Sequence, residues 1–198
     1  YAFSKGYYAR VEEGRLYGRL FRLFFAPLVR ALRGRHDAPV LDYLAAFRYA
    51  LAGEFAATAD LVRRLRIERR WGLEVGTLGD AFAEAGVDAT AQVDLGRYEH
   101  DHRAVSGPTG LADMSEDVAA ALFRVVEDGG IAPGYATLPD AYRDAAEALV
   151  RGYAADAAFN GLSYDPDEER AQVEAYAGSI RPPGDDDRLP AWVDAPLD

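Results

Sequence analysis

Residues 71–103, WGLEVGTLGDAFAEAGVDATAQVDLGRYEHDHR, constrain the fold more than any other stretch, because they read as helix, short loop and strand in immediate succession. Leu73, Val75, Leu78 and Phe82 share one helical face, and Gly86 marks the helix end. Residues 90–95 then alternate as a strand does, and the run is expected to be a buried strand that leaves through Gly96. It delivers Tyr98, Glu99, His100, Asp101 and His102 where a loop begins. Ligand sites of α/β proteins gather at the carboxyl ends of strands. An α/β fold of helix-rich character follows.

A chain of 198 residues fits one domain or a large part of one. It shows no signal peptide, no apolar run of membrane-spanning length and no low-complexity tract, so a soluble cytoplasmic protein without a membrane span is expected. Tyr1 stands where a start methionine is ordinarily found, so the natural start is expected to have been removed. With no cysteine, disulfides and thiolate metal sites are excluded, and any metal must rest on histidine and carboxylates. A net charge of −11 argues against nucleic-acid binding, which requires neutralised phosphates. Lys5 is the single lysine among 22 lysines and arginines. Abundant arginine, acid and alanine fit a GC-rich genome and a high-salt cytoplasm, with acidity for solubility as the plain alternative.

In chain order, residues 1–9 read as a loop or strand end, and residues 11–32 as an amphipathic helix kinked or restarted at Pro27. Residues 33–42 read as a polar connection, 43–51 as a short strand, and 54–67 as a helix with Phe55, Leu61, Val62 and Leu65 on its apolar side. After a turn at 106–110, helices are expected over 115–127 and 139–153. Asp165 reads as a helix N-cap ahead of Pro166, with Glu168 and Glu169 in the first turn. Residues from 182 onward, with Asp185, Asp186 and Asp187, read as a poorly ordered tail.

Four features carry chemistry. His100 and His102 would share one side of an extended segment beside Asp101, a set that suits a divalent cation; a polar surface loop is the alternative. Glu54 follows Gly53 and Glu74 follows Gly72 by two positions, which suits carboxylates that accept from sugar hydroxyls, or simply first-turn acids that complement a helix dipole. Arg15 and Arg19, four apart, suit an anion or a solvated face. The Asp-x-Asp runs at 165–167 and 185–187 read as a helix cap and a tail rather than as diphosphate sites.

Leu51-Ala-Gly-Glu-Phe-Ala-Ala-Thr58, Trp71-Gly-Leu-Glu-Val-Gly-Thr-Leu-Gly-Asp80 and Ala91-Gln-Val-Asp-Leu-Gly-Arg-Tyr-Glu-His100 together resemble the C-terminal half of glucosyl-3-phosphoglycerate and mannosyl-3-phosphoglycerate synthases. These are retaining glycosyltransferases of GT-A fold. The resemblance covers about residues 5–103 and implies Mg²⁺ or Mn²⁺ as cofactor, with a nucleoside diphosphate sugar and a small anionic acceptor as partners. It implies His100 as metal ligand, Gly53, Glu54 and Glu74 as donor-sugar residues, and Gly18 and Arg19 with His102 on the acceptor side. Two departures bear on the acceptor: Phe21 stands where the family's Gly-Arg-Val-Thr loop has a threonine, and His102 where it has an asparagine. The nucleotide half of that fold is absent from these residues, so the stretch alone is expected not to turn over. The expected division is 1–110 as the acceptor- and metal-side part of the GT-A domain, 111–180 as a helical extension and 181–198 as an acidic, proline-rich tail. The sequence leaves room for a homodimer, and a noncatalytic helical binding or scaffold module is the alternative function.

Overall fold

In the computed structural model, which describes residues 1–97 and 108–195, the chain runs β1 (Phe3–Ala9), β2 (Val11–Glu12), β3 (Arg15–Leu16), a π-helical segment Leu20–Phe25, α1 (Ala26–Arg33), α2 (Pro39–Ala46), β4 (Phe55–Ala57), α3 (Ala59–Val62), α4 (Leu73–Ala85), β5 (Thr90–Arg97), α5 (Pro108–Asp128), α6 (Leu138–Phe159) and α7 (Pro166–Ala177), with a closing 3₁₀ turn at Trp192–Asp194. Among the described residues no helix is long and apolar enough to cross a membrane.

The first residues, expected to be a loop or strand end, form the middle strand of a three-stranded sheet ordered β4-β1-β5. β1 runs antiparallel to β4, with Lys5 opposite Phe55, and parallel to β5, with Phe3 opposite Thr90 and Lys5 opposite Gln92. Phe3, Lys5 and Tyr8 are buried. The lysine hides this segment from a pattern search, because a buried ammonium reads as a surface position. β5 begins where expected but is not a buried strand: it is an edge, with Val93 47% and Leu95 44% exposed.

The expected helix over 11–32 starts later. Residues 11–16 are a hairpin in which Glu13 and Gly14, at φ 47° and 69°, make a two-residue turn with both angles positive, the geometry that matches strand twist. Helix begins at Leu20 in π geometry and passes into α1 at Ala26. Pro27 lacks the N–H that would bond back to the Leu23 carbonyl, and a widened turn precedes it, so the expected restart is present.

Residues 39–46 form a helix rather than connection and strand. Pro39 in its first turn and Asp42 nearby are start signals, and Val40, Leu41, Tyr43 and Leu44 are buried. Conversely, the expected helix over 54–67 is reduced to β4 and the single turn α3, and Phe55 and Val62 are exposed. The helix over the 71–86 stretch is present as α4, closed at Gly86. Gly72 and Gly79, one heptad apart, give α5 its close approach: a Cβ at Gly72 would lie 2.8 Å from the Ala121 Cβ, and one at Gly79 would overlap the Val125 side chain.

A single hydrophobic cluster joins α1 and the π segment to α5, α6 and α7. Tyr142 donates to the Leu23 carbonyl at 2.7 Å, and Phe24 lies against Tyr142 and Tyr176 with ring centroids 5.9 and 5.4 Å away. Asp165 caps α7 as expected, accepting from the N–H groups of Asp167 and Glu168. The segment after residue 182 is not loose. Leu189 exchanges backbone hydrogen bonds with Ile67 (2.9 and 3.1 Å), and Val193 N–H donates to the Arg63 carbonyl. Arg188, its side chain 4% exposed, pairs with Asp186 and Asp128.

Candidate functional site

β1 carries Lys5 and Tyr8 toward the turn that precedes β4. The Lys5 side chain is 1% exposed, and its ammonium donates to the Ala52 carbonyl and lies 6.0 Å from the Phe55 ring centre. One residue on, Gly6 N–H donates to the Glu54 carbonyl at 2.8 Å, so residues 52–54 are fixed to β1 by side chain and backbone together. Burial lowers the Lys5 ammonium to about 8, and the charges of Glu74 and Glu54 act in the opposite direction. Glu74 and Glu54, expected separately from sequence, therefore act on one buried cation. Glu74 sits in the first turn of α4, behind Gly72 at φ 117°, so the dipole-complementing reading of this acid is also satisfied. One Glu54 oxygen, Oε2, is buried without a hydrogen-bond partner among the described residues. The Tyr8 phenol, which hydrogen-bonds the Glu54 carboxylate, is pushed up, by burial first and then by the Glu54 charge.

This corner continues into the loop expected on the acceptor side. Tyr8 packs on Tyr49 (centroids 5.2 Å apart), and Tyr49 packs on Phe21 (5.1 Å). Gly18, at φ 79°, passes over Tyr49 where a Cβ would come within 3.2 Å of the ring. Gly53, Glu54 and Gly18 thus belong to one region through Tyr8 and Tyr49, and Glu74 acts on it through the Lys5 charge. Arg19 departs from it: its guanidinium pairs with Glu168 and Glu169 of α7, each at 2.8 Å. Arg15 lies on β3 rather than sharing a helix with Arg19. His100 and His102 lie outside the described residues, and among the described residues no group of three histidines and acids could hold a metal ion.

Sequence reasoning missed Lys5, Tyr8 and Tyr49. For Lys5 the available signal was compositional: a chain that otherwise uses arginine keeps one lysine, next to a glycine and among aromatic residues.

The helix-rich architecture with its small sheet matches part of a GT-A nucleotide-sugar transferase fold. A glucosyl-3-phosphoglycerate synthase from Mycobacterium tuberculosis, solved with Mn²⁺, UDP-glucose and phosphoglyceric acid, superposes with a TM-score of 0.50 at 33% identity, over 66% of this chain and 39% of that one. The same enzyme solved with Mg²⁺ and UDP gives the same TM-score, identity and coverage. In sequence, the glucosyl-3-phosphoglycerate synthase of Methanococcoides burtonii is 40% identical over 98% of this chain and 52% of its own length, and that of Persephonella marina 39% identical over 91% and 46%. The chain is homologous to the C-terminal half of the glucosyl-3-phosphoglycerate synthases, and it spans about half the length of these relatives. No protein-family model matches it.

Proposed function

We propose that the protein carrying this chain is a metal-dependent hexosyltransferase that moves glucose from UDP-glucose to a small anionic acceptor of the 3-phosphoglycerate kind. The observation that carries this reading is the contiguity of Glu54, Glu74 and the Gly18 loop around one buried corner, in a chain homologous to synthases solved with those ligands. The Glu54 and Glu74 carboxylates accept from the donor hexose hydroxyls, and Gly53 lets the chain approach the ring. A buried oxygen without a partner, Glu54 Oε2, is an acceptor that a hydroxyl would satisfy. Fixed carboxylates on rigid backbone orient the sugar, and orientation is a large part of rate enhancement in transfer reactions.

Arg19 of the Gly18 loop, exchanging its Glu168 pairing for the acceptor, orients the acceptor anion, and His102 is the second acceptor-side residue of this reading. Residues 1–110 form the acceptor- and metal-side part of the transferase domain, residues 111–180 a helical extension and 181–198 the terminal segment. For the metal, this chain offers His100, and the diphosphate and the nucleotide-binding half of the fold would complete its ligand set. A bound Mg²⁺ or Mn²⁺ neutralises charge on the leaving diphosphate. This chain's own groups then hold the sugar and the acceptor.

The test is a transfer assay with the whole native protein, UDP-glucose, 3-phosphoglycerate and Mn²⁺, against other nucleotide sugars and acceptors. Glucose transfer abolished by chelator and by Glu74→Gln supports the reading. Metal-independent binding of nucleotide sugars, or none at all, supports a noncatalytic module instead.

A further inference from the structure

We propose that Lys5 is a positioning residue of the sugar-donor corner: its buried ammonium, fixed on the Ala52 carbonyl, locks the turn at residues 52–54 and keeps Glu54 and Glu74 together as anionic acceptors for hexose hydroxyls. This inference rests on the donor-site reading above.

Two half-buried carboxylates that act on one corner repel each other. A cation fixed on the backbone of the same corner offsets that repulsion. Lys5 is the described cation that meets the requirement, since its side chain lies under the sheet at 1% exposure while its backbone is held in register by Phe55 on one side and Gln92 on the other. The charged groups acting on it are Glu74 from α4 and Glu54 from the turn before β4; β5 presents the uncharged Gln92 in register. The residue type matters as well. An ammonium is compact enough to sit beneath a strand and can aim one N–H at a single carbonyl, whereas a planar guanidinium is built for bidentate partners. Every other cation of this type in the chain is arginine, and lysine is kept where the geometry admits only a point charge. The site also carries a pH signature, because the ammonium discharges near pH 8 and not at the ordinary lysine value.

The experiment compares the whole native protein with Lys5→Gln, Lys5→Met, Glu54→Gln and Glu74→Gln, measuring melting temperature and the pH dependence of KM for UDP-glucose and of kcat. In the wild type the donor KM rises as pH passes about 8, while kcat changes less. Lys5→Gln, which keeps a donor for the Ala52 carbonyl but no charge, raises donor KM by about tenfold at neutral pH and loses the alkaline rise. Lys5→Met, which loses both, raises it further. Wild-type donor KM and an unchanged alkaline limb in Lys5→Gln overturn the inference, while the loss caused by Glu54→Gln still upholds the donor site. Unchanged donor KM in both glutamate variants overturns the donor-site reading itself, and the Lys5 inference falls with it. Should neither lysine variant fold, the wild-type profile decides: a flat donor KM through pH 8 overturns the proposal.

Discussion

Arg22 Nη1 lies 2.9 Å from Glu169 Oε2, and the two side chains are 5% and 4% exposed. The pair ties the π segment, early in the chain, to α7, late in it, and Arg22 is further held by its donations to the Tyr17 and Leu16 carbonyls. Removing one partner leaves an uncompensated charge in the core. Glu169→Ala is expected to cost about 3–5 kcal/mol, measurable by urea unfolding. Replacing both partners at once by Leu and Met is expected to cost less than Glu169→Ala alone, and a larger cost would show that the pair is net stabilising.

Glu168 is the exposed partner of Arg19, in contrast to the buried Glu169. If Arg19 receives the acceptor, Glu168 competes for it. Glu168→Gln is expected to lower the acceptor KM by about two- to fivefold, the range of an exposed ion pair, with donor KM unchanged. Acceptor kinetics that do not respond would remove Arg19 from the site.

The terminal segment predicts a local effect. Arg188 reaches Asp186 at 2.5 Å and Asp128 at 3.3 Å, and Arg188 holds the Asp186 carboxyl down at about 2. Arg188→Ala is expected to cost about 2 kcal/mol and to open residues 185–195 to protease before the core unfolds. Cleavage at the wild-type rate would contradict the packing described.

Alkaline stability follows from two opposed groups. Lys5 has a folded value of about 8 against an ordinary 10.5, so between these values the unfolded chain binds more protons and stability rises with pH, by up to about 3 kcal/mol. The phenols of Tyr142 and Tyr176 are raised, chiefly by burial, so their contribution is full below the ordinary tyrosine value and is lost as pH climbs past it. The melting temperature is expected to rise modestly above pH 8 and then to fall above about pH 10. Lys5→Gln should show only the fall.

His100→Ala in the whole protein is expected to leave the melting temperature in place and to weaken Mn²⁺-supported transfer by about ten- to a hundredfold. His36→Ala is the comparison, and its metal response should match the wild type. His36 is not an inert surface residue, because its Nε2 is buried without a partner among the described residues, so this variant is read by metal response rather than by melting.

The long periodic segments were legible in the sequence: α4, the start of β5, α5, α6 and the Asp165 cap all follow from local signals. What escaped was fixed by tertiary partners. β1 is a strand because β4 and β5 flank it, and its buried lysine disguises the alternation. The 39–46 run is too short for period to separate helix from strand, and its proline start signal was the better guide. In the candidate site, Gly53, Glu54 and Glu74 were legible as residue types, but not the buried Lys5 ammonium on which both carboxylate charges act. Nor was the engagement of Arg19 by α7, which joins positions 150 apart in the chain.

The middle position of β1 in the sheet bears on how the molecule is made. Phe3 and its parallel partner Thr90 stand 87 positions apart in the chain. Before that pairing only the three-residue β4 flanks β1, while the helical turns of residues 20–46 close over short distances. Parallel pairing across so long a loop bears its entropy before any contact repays it, which makes such a step slow. The pairing of β5 with this seven-residue strand is therefore expected to be the slow step in completing the sheet, and a chaperone that shields the apolar face of β1 would raise the yield more than one that acts on the helices.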